Sequence, residues 1–273
     1  MTACDKLKVQ IKSIGQPRCQ NGKEYNVIIR NTMMEHMVGP AQQQKQALTN
    51  GLMEEICNRA NMNRAYKRVV SNKGAPGIDG MRVDELSNWI KVNKESLINK
   101  LLDGTYSPQP VKKVMIPKPN GGERMLGIPT VIDRLIQQAI LQVLEPIIDP
   151  HFSCNSYGFR SGKSAHQALK AAQEYVADKR TYVVDIDIEK FFDRVNHDMV
   201  IVRLAKYVKD KRLLQIVGKF LRSGIMDGET YIKRTEGTPQ GGALSALLAN
   251  ILLDDLVSSK INPTSCSNEN PTT

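Results

Sequence analysis

Two acids stand two residues apart in a run of β-branched residues, Val183-Val184-Asp185-Ile186-Asp187-Ile188. Side chains alternate along a strand, so Val184, Ile186 and Ile188 share one face and Asp185 and Asp187 the other. Two carboxylates on one face repel each other unless positive charge sits between them. A hard divalent cation with oxygen ligands is their natural partner. Magnesium there would clamp a substrate phosphate, the chemistry of two-metal phosphoryl transfer. The competing reading of this segment alone is a solvated strand with its acids turned outward.

Other residues could serve the same chemistry. Lys118 and Arg124 flank Asn120-Gly121-Gly122, a turn between predicted strands at 111–117 and 125–128. Cations on facing limbs of a hairpin can converge on one anion, though solvated surface charge is the alternative. The span Ser71-Asn72-Lys73-Gly74-Ala75-Pro76-Gly77-Ile78-Asp79-Gly80 must be a loop, with Lys73 and free backbone N–H groups able to meet phosphate. Gly241 and Gly242 permit close backbone approach to a nucleic acid, or simply make a turn before a helix. His197 beside Asn196 invites an acid–base reading, but a structural histidine is commoner. Asp254-Asp255 ends a helical pattern, as ordinary helix-end acids do.

The elements that must position these residues follow from periodicity. Helical spacing runs over 51–70 and 84–102, and is strongest over 133–145, where Leu135, Ile136, Ala139, Ile140, Val143 and Leu144 share a face. Pro146 is placed to end that helix. Ser164-Ala165-His166-Gln167 has the form of a capping box; its helix sets Ala165, Ala168, Leu169, Ala172 and Val176 on one side. A strand is expected over 181–188, helices over 199–208 and 213–221, a hairpin at Asp227-Gly228, and a last helix over 244–256. Residues 1–50 lack sustained periodicity and read as an irregular leader. Residues 258–273, rich in Ser, Asn, Pro and Thr, read as a disordered tail.

The chain of 273 residues carries 38 Lys+Arg against 28 Asp+Glu, a net charge of +10. A polyanion is the default partner for such a surface, because neutralised phosphates release their counterions. The five cysteines, Cys4, Cys19, Cys57, Cys154 and Cys266, are scattered. Their spacing fits neither a zinc site nor a disulfide framework. With no apolar run of membrane length and no signal-like start, a cytoplasmic protein is expected, with no membrane partner.

Taken in order, six segments resemble the reverse transcriptases encoded by bacterial group II introns, the maturase family. They are Asn72 to Gly80; Ile116 to Gly122 with Arg124; Leu126 to Arg134; Tyr157-Gly158-Phe159-Arg160; Asp187 to His197; and Gly237 to Gly242. The resemblance runs from about Met62 to about Leu256. It implies an α+β right-hand polymerase: fingers with an N-terminal RNA-binding extension over 51–180, then a partial palm over 181–257. It implies an RNA-directed DNA polymerase acting on an RNA template, a DNA primer and deoxynucleoside triphosphates with Mg2+. Asp187 looks like the first catalytic aspartate, with Asp185 as the fallback, and the Ile188 carbonyl like a second metal ligand. Phe192 would lie under the sugar and exclude a 2′-hydroxyl, while Phe191 would be core. Lys118 and Arg124 would hold the triphosphate. Arg160 would line the nucleotide or template pocket, or else form a structural ion pair. Gln240 would lie beside the nascent pair, with Gly241 and Gly242 close to nucleic acid. Lys73 and Gly74 would contact template RNA, and His197 would be structural.

One departure qualifies this picture. The family's Tyr-Ala-Asp-Asp hairpin, which brings further metal-binding carboxylates, does not occur in the sequence. The expectation is therefore an incomplete palm, a strand at 181–188 without a neighbour, and poor catalysis. The alternative function is a non-catalytic RNA-binding module that assists intron folding.

Overall fold

The structure, a computed structural model, describes residues 7–13, 51–119, 121–180, 182–188, 190–239 and 241–260. A helical body comes first. Helices α1 (Leu52–Cys57) and α2 (Arg59–Ser71) meet at Asn58, whose side chain accepts the Ala60 N–H at 2.9 Å. Helix α3 (Leu86–Leu102) packs on α1, and the hairpin β2 (Val111–Pro117) and β3 (Glu123–Ile128) leads into α4 (Val131–Ile148).

Helix α4 is the axis of the core. Leu135, Ile136, Ala139, Ile140, Val143 and Leu144 are all buried, as their spacing requires. Its start is held by Thr130, whose hydroxyl accepts from the Asp133 N–H at 3.1 Å. Helix α2 lies alongside α4. Asn61 joins them: its side-chain amide donates to the Ile56 and Ala139 carbonyls, each at 3.0 Å, and its side-chain oxygen accepts from Gln142 at 2.8 Å. A buried amide with donors and acceptor engaged fixes register at little desolvation cost. Pro146 does not end this helix, contrary to expectation; it sits inside it. In the last turn a proline removes one i→i−4 bond, and the fully buried Ile148 holds the turn in place.

Helix α5 (Ala165–Ala177) opens with the capping box as expected: Gln167 N–H donates to the Ser164 hydroxyl and Ser164 N–H to the Gln167 side chain. Its apolar face is not buried, however. Leu169 and Val176 are 63% and 47% exposed. Strand β4 (Tyr182–Ile188) follows. Helices α6 (His197–Leu204) and α7 (Lys211–Leu221), strands β5 (Ile225–Asp227) and β6 (Thr230–Ile232), and helix α8 (Ser245–Lys260) complete the described chain.

The strands form two sheets. Sheet order β3-β2-β5-β6 joins the hairpin to the short β5–β6 pair, with β2 and β5 parallel. The second sheet corrects two expectations. Part of the leader is ordered: Leu7–Ser13 is a strand, β1, paired antiparallel with β4 from Leu7↔Ile188 to Ser13↔Tyr182. Strand β4 therefore has a neighbour. The reason is visible in Leu7-Lys8-Val9-Gln10-Ile11-Lys12, an alternation of period two, and in the unpaired N–H and C=O row that an edge strand offers. The expected tail lies largely outside the described residues, although α8 reaches Lys260. One cysteine departs from expectation: Cys154 is disulfide-bonded, whereas Cys57 is free and buried.

Candidate active site

Three segments meet at the turn that follows the acidic strand. The first is the turn after β4, a 3-10 turn at Phe191–Asp193 entered through Lys190 in a left-handed conformation, φ 53°. The second is Gly237-Thr238-Pro239, which leads through Gly241-Gly242 to α8. The third is Leu126-Gly127 of β3. Thr238 N–H donates to the Phe192 carbonyl at 2.8 Å, and Gly237 N–H to the Val195 carbonyl at 2.7 Å. A Cβ at Gly237 would lie 2.8 Å from the Asp193 carbonyl oxygen, and its φ is +84°. Only glycine lets these two loops touch. Gly127 meets the other side: a Cβ there would lie 3.1 Å from the Pro239 ring, while one at Gly241 would press on the Gly127 carbonyl at 2.8 Å.

Buried polar groups lock the junction. His197, 3% exposed, places Nε2 at 2.7 Å from the Gly237 carbonyl oxygen. Burial pushes its pKa below the ordinary value, so the neutral ring, donating from Nε2, is favoured. Ser245 at the head of α8 donates to the Pro239 carbonyl at 2.6 Å and lies 3.2 Å from the Thr238 hydroxyl. His197 is thus a pin between loops.

The residues singled out from sequence are placed as follows. Asp185 and Asp187 are exposed on β4, and in the β1–β4 register Asp187 stands opposite Lys8. Phe191 packs against the core, whereas Phe192 lines a cleft. Lys118 and Arg124 are exposed at the hairpin end. Lys118 N–H donates to the Gly122 carbonyl and Arg124 stands opposite Ile116. Opposite residues share a face and alternate residues return to it, so Lys118 and Arg124 lie on one face. Met125, which lines the Phe192 cleft, lies on the other. Gln240 lies outside the described residues.

Arg160 is not poised for substrate. Its Nε and Nη2 bind the Asp149 carboxylate at 2.7 and 3.1 Å, and Nη1 and Nη2 donate to the Ser153, Ser156 and Asp149 carbonyls at 2.7 to 3.0 Å. With every nitrogen engaged, the geometry fits the structural ion pair. Lys73 is exposed with φ 47°, and Gly74 is covered by the Arg134 guanidinium, which donates to the Ala75 carbonyl at 2.8 Å. That loop is therefore shaped by α4. Sequence reasoning missed Arg134 and Ser245 as organisers of the loops; the signals that could have flagged them are that Arg134 closes the Leu126–Arg134 segment and that Ser245 follows the Gly237–Gly242 segment by three residues.

Residues 116–266 match the family described as reverse transcriptase (RNA-dependent DNA polymerase). The chain belongs to that family. Among relatives, it is 41% identical over 193 residues to the group II intron-encoded protein LtrA of Lactococcus lactis subsp. cremoris, covering 70% of this chain and 32% of LtrA. It is 36% identical over 197 residues to Protein YkfC of Escherichia coli K12, covering 70% of this chain and 52% of YkfC. The chain thus spans about half or less of these relatives. A solved structure titled as a partial Cas6-RT-Cas1–Cas2 complex matches with TM-score 0.52 and 29% identity, over 76% of this chain and 34% of that one. Together these place the chain with the group II intron reverse transcriptases and maturases.

Reverse transcriptases use divalent metal ions. The exposed carboxylates of Asp185 and Asp187, with the Ile188 carbonyl next to them, are oxygen donors of the hard type such ions take. Among the described residues no group of three or more His, Cys, Asp or Glu stands ready to hold a metal. The donors fit in kind, and they supply part of a coordination set.

Proposed function

We propose that the chain serves an RNA-directed DNA polymerase of the group II intron type, with RNA as template, DNA as primer and deoxynucleoside triphosphates as substrates. The observation that carries this reading is the meeting of the Gly237–Gly242 loop and β3 at the Phe192 turn, which directly follows the Asp187 strand in sequence. Lys118 and Arg124 would bind and orient the triphosphate from the hairpin. Phe192 would exclude a 2′-hydroxyl by bulk. Asp187, with the Ile188 carbonyl, would hold Mg2+. When bound, such an ion stabilises charge on the phosphoryl oxygens and orients the attacking 3′-hydroxyl. The proposed compartment is the cytoplasm, where the Cys154 disulfide would be reduced.

A second reading is favoured by the net charge of +10: an RNA-binding module that aids intron folding without synthesis. Primer extension on an RNA template with Mg2+, run beside RNA binding, separates the two. The polymerase reading expects extension that Asp187→Ala cuts at least a hundredfold while RNA binding persists, since removing a group that acts on the transition state lowers rate more than affinity. RNA binding with no extension would favour the second reading. Extension indifferent to Asp187→Ala would sink the site assignment.

A further inference from the structure

Where other elements of the fold meet, basic side chains find acids: Arg212 takes Glu54 and Asp210, Lys113 takes Asp227 and Arg222 takes Asp198. Between α2 and α3 three do not. Arg59, Lys91 and Lys94 are exposed and line one cleft, and none of them pairs with an acid among the described residues. No acid lines that cleft with them.

Helical periodicity builds the cleft. On α2, Arg59, Met62, Asn63 and Tyr66 recur at i, i+3, i+4 and i+7; on α3, Ser87, Ile90, Lys91 and Lys94 do the same, and Ile98 continues the row. Each helix therefore turns one face to it. Leu97 and Leu135, both buried in the core, make its floor. Met62, Ile90 and Ile98, each half-buried, make apolar walls. The cavity is about 360 Å³, room for the anchoring side chains of a docked segment and not for its backbone. From Ser87 to Ile98 the α3 face runs about 16 Å, roughly three helical turns.

A ligand that fits must be anionic and must cover apolar surface. A phosphate backbone would meet the cations and leave Met62, Ile90 and Ile98 in water. An unstacked base asks for flat aromatic or guanidinium faces, whereas these walls are mainly aliphatic. A row of apolar side chains flanked by carboxylates uses both features, and a groove between two helices receives such a row from a third helix. A second copy of this chain is a poor occupant, because its net charge of +10 repels. We propose that the α2–α3 cleft docks an acidic amphipathic helix of a partner protein, its apolar stripe on Met62, Ile90 and Ile98 and its carboxylates on Arg59, Lys91 and Lys94. None of these residues belongs to the candidate active site, so the proposal stands apart from the polymerase reading.

The test uses the full chain and a designed fluorescent peptide of about 14 residues, with leucines at i, i+3, i+4 and i+7 and glutamates beside them. Fluorescence anisotropy should show binding in the micromolar range; absence of binding would overturn the proposal. A scrambled peptide of the same composition should bind about tenfold more weakly, and equal binding would overturn it by showing attraction to net charge alone. Ile98→Gln leaves the charge unchanged and should weaken the patterned peptide about tenfold while single-stranded RNA binds as before. Loss of RNA binding with peptide binding intact would give the cleft to RNA and overturn the proposal. Lys91→Glu combined with Lys94→Glu changes two exposed residues and should also weaken the peptide about tenfold, with an unchanged melting temperature. This pair carries the test if Ile98→Gln melts markedly lower, and undiminished peptide binding in it would overturn the proposal. Self-association of the wild-type chain that Ile98→Gln abolishes would put a second copy in the cleft and overturn it too. Primer extension by the wild-type chain, present or absent, has no bearing on these outcomes, so the two readings fail separately.

Discussion

Helices α4 and α5 have the same amphipathic design and opposite outcomes. Each opens with a side-chain cap and each carries a helical apolar stripe. The stripe of α4 is buried under α1 and α2, with Leu135 and Leu144 at 1% and 0% exposure. On α5 no residue is buried. The β4 strand that follows shares this condition, with Tyr182 at 74% and Ile186 at 48%. Local patterning thus states what a segment could bury; whether it does so depends on a partner layer. Among the described residues α4 has that layer and α5 does not. The two regions should therefore answer mutation very differently.

The largest expected effect is in the α4 core. Leu135→Ala should cost about 2–5 kcal/mol, the transfer loss plus the cavity left in a body too well packed to collapse. Urea denaturation would show it as a lowered midpoint. A cost under about 1 kcal/mol would mean that the α4 core is looser than its burial suggests, and the contrast with α5 would dissolve.

A smaller effect belongs to the loop junction at the candidate site, where His197 pins Gly237. Its folded pKa is depressed, so the unfolded chain takes up the proton more readily. The stability gained from the neutral ring is complete above the unfolded value of about 6.5. It is lost as pH falls through the folded value. Stability should thus decline on the acid side, and His197→Asn should flatten that limb while costing about 1 kcal/mol at pH 8 through the lost bond to Gly237. Denaturation midpoints across pH 5–8 would measure both. An acid limb unchanged in the variant would assign the decline to other groups.

Much of this was legible in the residues. The α4 stripe, the Ser164 capping box, the β2–β3 hairpin and the order of motif segments all follow from local periodicity and turn chemistry, which act over a few residues. What escaped reading depended on long-range pairing. The strand at Leu7–Ser13 is short, and its partner lies some 170 residues away. Pro146 reads as a terminator until the burial of Ile148 is known. Arg160 and Arg234 look alike as sequence; the acceptors at Asp149, Ser153 and Ser156 distinguish them, and no spacing rule announces those. In the candidate site the acids and the glycine loop were visible, while the tightness at Gly237 and the unpartnered Nη1 of Arg234 emerged only from packing.

The smallest expected effect tests the comparison from the other side. Leu169 lies on the α5 stripe and is 63% exposed. Replacing it by lysine removes little buried apolar surface and places a good helix former at an exposed position. Leu169→Lys should change the stability of this chain by no more than about 0.5 kcal/mol, as surface substitutions usually do. The identical change at Leu144, fully buried on α4, would bury an unpaired charge and should prevent folding. Equal tolerance at the two sites would refute the contrast. A cost above about 1 kcal/mol at Leu169 would be more instructive, because it would mean that α5 is covered in solution and that its stripe has the layer its pattern calls for.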